Sequence, residues 1–189
     1  MAAHIRETKT VYRGWNTFSV AEVELSDGTR IERVIEDHGR AIAVLPYDPE
    51  RRVAILVEQL RVPILKAAGL QTTLEVPAGI LDEDDPEAGA RREVMEEVGV
   101  RLGVLEHIAR AWSMPGISTE QMDLFLAPYS ESDKVALGGG LDAEHENITI
   151  VELSLDELAA RLAQGALNDM KTMTLLLALQ VRHPELFSR

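Results

Sequence analysis

The sequence contains no cysteine and few basic residues, and both absences exclude whole classes of function. Without cysteine among its 189 residues, the chain cannot form disulfide bonds, bind metal through thiolates or use a cysteine nucleophile. Only 19 lysines and arginines stand against 32 aspartates and glutamates, which gives a net charge of −13. A general nucleic-acid binder needs a basic face to displace counterions, so this composition argues against one. A small anionic substrate stays compatible, because a few arginines and a metal can set the local potential.

Long apolar segments are absent as well. The longest apolar stretch, residues 173–181, is too short to span a bilayer. The first residues contain no apolar signal core, and Ala2 excludes myristoylation. We therefore expect a soluble cytoplasmic protein that binds neither membrane nor nucleic acid. An apolar content of 46% over this length supports one substantial core, with room for a small appendage.

The first third of the chain has the patterns of β-strands. Residues 10–37 contain imperfectly alternating strands around a hairpin turn at residues 26–28, where Gly28 supplies positive φ. Residues 40–47 and 53–60 are apolar and rich in β-branched side chains, as expected for buried strands. A turn at residues 48–52 separates these two predicted strands.

The rest of the chain mixes strands with helices. Further strands are predicted near residues 104–112, 121–126 and 148–153. A capping box that begins at Ser154 opens a helix ending at Gly165, and a last helix covers residues 168–182. With a third helix near residue 90, this order predicts an α/β fold, an α/β/α sandwich around a mixed sheet with a small antiparallel sheet at the N-terminus.

The most informative segment is residues 79–100, GILDEDDPEAGARREVMEEVGV. If its second half is helical, Glu93, Glu96 and Glu97 lie on one face. Stacked carboxylates repel one another unless a cation lies between them, and oxygen ligands suit Mg²⁺ or Mn²⁺. Asp85 is a plausible N-cap and Pro86 fits the first turn of this helix.

This segment resembles the Nudix box, the motif of the Nudix hydrolases, written G-x5-E-x7-R-E-U-x-E-E-x-G-U with U apolar. Residues 92–100 match at every fixed position. The first half departs from the motif, because the interval from Gly79 to Arg92 is one residue short and Asp85 stands where the isolated glutamate is expected. A contracted box of this form resembles the GDP-mannose pyrophosphatase branch of the ADP-ribose pyrophosphatase group.

The resemblance implies a set of metal ligands. Glu93 and Glu97 would bind Mg²⁺, for which Mn²⁺ could substitute, and both would count as catalytic residues. Glu96 would support them, and Ala78 would add its backbone carbonyl. Arg92 would pair with a box glutamate and hold it in orientation.

The general base is expected outside the box. In the resembling family it is a glutamate on a loop after glycines, and Glu144 follows the run of residues 138–140 here. We expect Glu144 to act as a catalytic residue and to reach the metal, while Glu146 stays open as the alternative base. The glycines suit a lid that closes over the substrate.

The resemblance also implies residues that contact a nucleotide sugar. Arg61 would bind phosphate through its planar fork of donors. Trp15 would stack on a nucleobase, although a lone tryptophan is more often part of a core. The full expected set is Trp15, Arg33, Arg61, Ala78, Gly79, Glu120 and Lys171.

These residues predict a metal-dependent hydrolase of nucleoside-diphosphate sugars. The expected reaction converts GDP-mannose to GMP and mannose 1-phosphate, and the alternative converts ADP-ribose to AMP and ribose 5-phosphate. A nucleoside-triphosphate hydrolase and a non-catalytic nucleotide-sensing module are further alternatives. Residues 1–38 are expected to form a separate β-sheet subdomain, which in this branch takes part in a homodimer, and residues 39–189 form the Nudix domain.

Overall fold

A computed structural model describes residues 2–82, 84–141 and 147–187. The chain divides into two compact units. The first unit comprises the chain up to Ala41 together with residues 110–122, and the second comprises residues 42–109 and 123–189. The sequence predicts a division at residue 38 and does not predict that residues 110–122 belong to the first unit.

The first unit is built on a three-stranded antiparallel sheet with the order β1-β2-β3. Its hairpin turn lies where the sequence predicts it, with Gly28 at φ 83°. The Leu25 amide donates to the Thr29 carbonyl at 2.8 Å, which closes this turn. The strands are β1 (His4–Arg13), β2 (Thr17–Glu24) and β3 (Arg30–Asp37).

Residues 113–120 attach to the end of β3 within the same unit. The Glu36 amide donates to the Ile117 carbonyl at 2.8 Å, and the Thr119 amide donates to the Glu36 carbonyl at 2.9 Å. These bonds hold a segment that is distant in sequence against the outer strand of the small sheet.

The larger sheet has the strand order β10-β5-β4-β9-β8, with β6 paired to β5 and β7 paired to β4. Its central strand β4 is buried along its whole length, as its apolar composition predicts. The strands are β4 (Ala41–Asp48), β5 (Val53–Gln59), β6 (Thr73–Glu75), β7 (Ala78–Ile80), β8 (Glu106–Trp112), β9 (Gln121–Pro128) and β10 (Thr149–Ser154).

Four α-helices in the described residues accompany this sheet: α1 (Val62–Ala68), α2 (Pro86–Val98), α3 (Leu155–Ala163) and α4 (Met170–Arg182). The sequence predicts α2, α3 and α4 but not α1, whose signals are Pro63 in its first turn and Gly69 at its C-terminus. Asp85 caps α2 by accepting a hydrogen bond from the Glu87 amide, and Ser154 caps α3 in the same way. The last helix begins at Met170, two residues after the predicted start at Asn168.

One hydrophobic core lies between α2 and the larger sheet. Ala90, Val94 and Val98 on the helix pack with buried side chains of β4, β5 and β9. Outside this cluster, α3 and α4 contribute further buried leucines. The predicted α/β fold is confirmed, with a small antiparallel sheet and a larger mixed sheet. No helix among the described residues is long and apolar enough to cross a membrane.

The glycines at 138–140 close the C-terminal end of α2. All three have positive φ, between 64° and 106°. The Gly139 amide donates to the Glu97 carbonyl at 2.8 Å, and the Gly140 amide donates to the Glu96 carbonyl at 3.1 Å. These bonds satisfy carbonyls that the helix end leaves without intrahelical partners. The glycines therefore act as part of the α2 cap, and the lid function stays a prediction.

Substituting Gly138 tests this cap. A Cβ at Gly138 would lie 2.7 Å from backbone atoms of Glu97 and Val98, and the residue has φ 64°. Gly138→Ala should lower the free energy of unfolding by roughly 1–2 kcal/mol or more, because L-residues are strained in the left-handed region. Gly103→Ala is the matched control, since nothing lies within 4 Å of its Cβ position. Urea denaturation of both variants measures the difference, and equal stability would contradict the cap.

Candidate active site

The carboxylates of α2 approach strand β7, which carries Ala78 and Gly79. Glu97 is only 2% exposed, and its Oε2 accepts a hydrogen bond from the Ala78 amide at 3.3 Å. Glu93, one turn earlier on the same face, has a side chain 13% exposed. The i, i+4 spacing of the sequence thus places two acidic side chains at one short strand.

Gly79 allows this close approach. A Cβ built on Gly79 would lie 2.1 Å from Cδ of Glu93 and 2.3 Å from both of its carboxylate oxygens. Such distances are far below van der Waals contact, so any larger residue would displace the Glu93 carboxylate. The first glycine of the motif therefore leaves the space in which the Glu93 carboxylate lies.

Arg92 contacts the carboxylates of both Glu93 and Glu96. Its Nη1 lies 2.8 Å from Oε1 of Glu93 and donates to Oε2 of Glu96 at 3.1 Å. Its Nη2 donates to the Ile80 carbonyl at 3.2 Å, which ties the helix to the end of β7. This geometry suits a residue that orients the box carboxylates.

The donors at β7 and α2 are the oxygen ligands that divalent cations prefer. The Glu93 carboxylate, which lies against Gly79, and the buried Glu97 carboxylate are oxygen ligands that suit a hard cation. Among residues 2–82, 84–141 and 147–187, no three or more histidine, aspartate or glutamate side chains are grouped so as to hold a metal ion by themselves. A cation would therefore need a further donor, such as the Ala78 carbonyl that the sequence predicts.

A second cluster brings Arg61 and Lys171 together around Glu75. Arg61 donates from Nε and Nη2 to the two carboxylate oxygens of Glu75, each at 2.9 Å. Lys171 donates from Nζ to the same carboxylate and to Asp169 at 2.9 Å. The Lys171 side chain is only 13% exposed. Lys171 is thus a largely buried member of a charge network and is not an ordinary surface lysine.

Hydrogen bonds from the start of α4 connect this cluster to the strand that leads to the box. Asp169 caps α4 by accepting from the Thr172 amide at 2.9 Å. The hydroxyl of Thr172 accepts from the Val76 amide at 2.8 Å. Val76 lies between Glu75 and Ala78, so the two clusters are attached to one short run of backbone.

In the first unit, His38 lies between two carboxylates. Its Nδ1 is 2.6 Å from Glu36 Oε1, and its Nε2 is 2.8 Å from Glu120 Oε1. Burial alone would lower the pKa of His38, but the hydrogen bonds to both glutamates outweigh burial and raise that pKa above 6.5. In its protonated form the ring can donate from both nitrogens, one to each glutamate. Ser118 adds a 2.6 Å bond to Glu36.

Trp15 and Arg33 lie on the surface of the first unit. Trp15 is 73% exposed, so it is not a core residue, and it stacks on His38 with ring centroids 5.1 Å apart. Arg33 lines a cavity of about 450 Å³ together with Val34, Ile35 and residues 115–119. An exposed indole beside this network is available for stacking on a planar ligand.

The structure groups the predicted site residues only in part. Arg61 and Lys171 meet at Glu75, and Ala78, Gly79, Arg92, Glu93, Glu96 and Glu97 meet at β7 and α2. Trp15 and Glu120 both contact His38 in the first unit. Glu144 and Glu146 lie outside the described residues, so the choice of base stays a prediction.

Sequence reasoning missed the residues that organise these groups. Glu75 is an acidic residue within a short strand next to the box, and this position is its only local signal. Asp169 could be found as a helix N-cap, but its contact with Lys171 could not. His38 has no metal-ligand spacing, and its partner Glu120 is 82 residues away.

The family model described as NUDIX domain matches residues 37–176 of this chain. The chain belongs to the Nudix family. The family resemblance drawn from residues 92–100 is thereby confirmed.

Related Nudix proteins extend the comparison over most of the chain. The GDP-mannose pyrophosphatase of Cronobacter sakazakii is 36% identical over 154 residues, which is 81% of this chain and 80% of that protein. The GDP-mannose pyrophosphatase of Klebsiella pneumoniae is 32% identical over 182 residues, covering 94% of this chain and 91% of the relative. The family match and these relatives together show that the chain is a Nudix hydrolase.

A solved structure shares the fold. The crystal structure titled ADP compounds hydrolase superposes with a TM-score of 0.78 at 19% identity, covering 98% of this chain and 96% of that one. At this identity the likeness supports the Nudix fold alone.

The network at His38 predicts a pH-dependent stability of the first unit. Since the folded-state pKa of His38 is raised, its contribution is complete below pH 6.5 and is lost as pH rises through the raised value. Although burial acts to raise the pKa of Glu36, hydrogen bonds led by that from Ser118 lower it below 4.5, so its contribution is present above pH 4.5 and is lost at lower pH. His38→Gln should therefore cost most between these values, roughly 1–3 kcal/mol.

Tryptophan fluorescence during urea denaturation can follow this unit selectively, because both tryptophans, Trp15 and Trp112, belong to it. His4→Gln, at an exposed position of β1, is the control. A difference between wild type and His38→Gln that does not change from pH 5 to pH 9 would contradict the ion-pair network.

Proposed function

We propose that this Nudix hydrolase cleaves the diphosphate bond of a nucleoside-diphosphate sugar and that its preferred reaction converts GDP-mannose to GMP and mannose 1-phosphate. The observation that carries the proposal is that residues 75–79 contact both the box carboxylates of α2 and the cluster of Arg61 and Lys171. Such a site offers oxygen ligands and phosphate-binding donors side by side. The names of the relatives support the choice of GDP-mannose.

Nudix hydrolases in general use divalent metal ions, and we propose Mg²⁺ here, with Mn²⁺ as a substitute. Glu93 and Glu97 would hold the ion, supported by Glu96, together with the Ala78 carbonyl and, outside the described residues, Glu144. The ion would supply charge neutralisation at the diphosphate and a lowered pKa of bound water. Arg92 orients Glu93 and Glu96, as its contacts with both carboxylates support.

The remaining residues would bind the substrate and move the proton. Arg61 and Lys171 supply cationic donors for the phosphates, and Glu144 accepts the proton of the attacking water, with Glu146 as the alternative base. Trp15 would stack on the nucleobase, which its exposed indole supports. Arg33 and Glu120, also in the first unit, would contact the substrate. We further propose that the protein is cytoplasmic.

We also propose a homodimer formed through the small sheet. All residues of β1 are exposed in the single chain, and β1 is an edge strand in the order β1-β2-β3. Its apolar side chains Ile5, Val11 and Tyr12 are 58%, 58% and 55% exposed. An exposed edge with apolar side chains is a favourable surface for pairing with another chain, and a second copy would cover it.

Sedimentation equilibrium tests this dimer. Val11→Asp should shift the protein to monomer, because a charge would be buried in the apolar contact. Val104→Asp is the matched control, since Val104 is 70% exposed and lies in the second unit. A monomeric wild-type protein, or a dimer unaffected by Val11→Asp, would remove this part of the proposal.

An assay with a panel of nucleotide sugars and Mg²⁺, with product identification, tests the reaction. Wild-type protein should release GMP and mannose 1-phosphate from GDP-mannose, and EDTA should abolish turnover. Glu97→Gln should lower turnover by orders of magnitude while the fold persists, because the amide keeps the size of the side chain but loses the charge that binds the cation. The same assay on Glu144→Gln and Glu146→Gln identifies the base.

Glu87→Gln is the matched control on the same helix, since Glu87 is exposed and pairs with Arg91 at 3.2 Å. Release of AMP and ribose 5-phosphate from ADP-ribose, without activity on GDP-mannose, would reassign the substrate. Full activity of purified Glu97→Gln would remove the box from the mechanism, and no turnover of any nucleotide sugar would favour a nucleotide-sensing module.

A further inference from the structure

We propose that Glu75 is a positioning residue that orients Arg61 and Lys171 to bind the diphosphate. The inference rests on the proposed function, because it names what prepares the phosphate-binding side chains of that site. Glu75 would not touch the substrate. It would act through the two cations that it holds.

The contact with Arg61 leaves one edge of the guanidinium open. Glu75 occupies the edge formed by Nε and Nη2, with two parallel bonds of 2.9 Å. Among the described residues Nη1 makes no hydrogen bond, and the Arg61 side chain is 40% exposed. A planar fork held on one edge presents its other donors in a defined orientation, which suits bidentate binding of a phosphate.

Lys171 is held by the same carboxylate. Its Nζ donates to Glu75 and to Asp169, and the flexible stem of the side chain is thereby fixed. An unrestrained lysine loses much rotamer freedom when it binds an anion, so prior immobilisation lowers the entropic cost of binding. Glu75 thus preorganises two donors with a single carboxylate.

The carboxylate is well suited to this task because it stays ionised. The Glu75 side chain is 3% exposed, and burial would raise its pKa, yet the bonds and charges of Arg61 and Lys171 outweigh burial and lower that pKa below 4.5. Burial lowers the pKa of Arg61, but the Glu75 bond and the charges of Glu75, Glu97 and Asp169 raise it. Glu97 of the box is therefore one of the charges that act on the pKa of this guanidinium.

A purely structural ion pair is the competing explanation, and Glu152 provides the matched control. Glu152 accepts hydrogen bonds from Arg51, Lys134 and Tyr129 in the same unit. Neither Arg51 nor Lys134 is assigned to the substrate. Glu152→Gln therefore disturbs a similar network without disturbing the proposed phosphate-binding donors.

The primary test is to measure the affinity for inorganic pyrophosphate by calorimetry, which requires no turnover. Glu75→Gln should weaken pyrophosphate binding about 10- to 100-fold, because charge-assisted bonds that orient the donors are lost. Glu152→Gln should bind like wild type. With the nucleotide sugar that the wild type hydrolyses, Glu75→Gln should raise KM by a similar factor and change kcat little, the pattern of lost ground-state binding.

A double-mutant cycle with Arg61→Lys checks that Glu75 acts through Arg61. The combined variant should lose less affinity than the sum of the two single losses. If Glu75→Gln does not fold, Glu75→Asp keeps the charge but shortens the side chain, and it should still weaken pyrophosphate binding.

The outcomes separate this inference from the proposed function. Wild-type affinity in Glu75→Gln or Glu75→Asp, strictly additive losses, or no pyrophosphate binding by the wild type would each overturn the role of Glu75. Pyrophosphate binding that depends on Glu75, in a protein that hydrolyses no nucleotide sugar, would overturn the proposed function and leave the inference intact.

Discussion

The contact between helix α2 and strand β7 is the constraint on which the rest of the site depends. The Glu93 carboxylate occupies the space that a Cβ at Gly79 would need, and the Ala78 amide donates to the buried carboxylate of Glu97. The strand accommodates the two acidic groups by offering a glycine to one and an amide donor to the other. Arg92 contacts both Glu93 and Glu96, and its positive charge offsets the repulsion between the two carboxylates.

The surrounding structure holds this contact from several directions. Apolar side chains of α2 pack into the core of the larger sheet, and the amides of Gly139 and Gly140 close the C-terminal end of the helix. On the strand side, Glu75 and Val76 are tied to α4 through Lys171 and Thr172. The backbone that carries Ala78 and Gly79 is thus fixed by a charged cluster on one side and by the core on the other, which makes the candidate site rigid.

Local signals explain which elements could be predicted. Asp85, Pro86 and Gly99 mark both ends of α2, and Ser154 marks α3, because caps act through neighbouring residues. The short helix α1 escaped because none of its residues is buried, so it has no amphipathic pattern to detect. The attachment of residues 113–120 to β3 escaped for another reason, since backbone bonds between distant segments leave no periodicity in either.

The sequence by itself determined the family and the grouping of Glu93, Glu96 and Glu97 on one helix, because their spacing follows the helical repeat. It also determined the charge balance and the absence of thiol chemistry. Only the tertiary structure decided which charges pair. Glu75 meets Lys171 across 96 positions, and His38 meets Glu120 across 82. Such pairings depend on how strands and helices pack, and an isolated glutamate or histidine in a sequence has many possible partners.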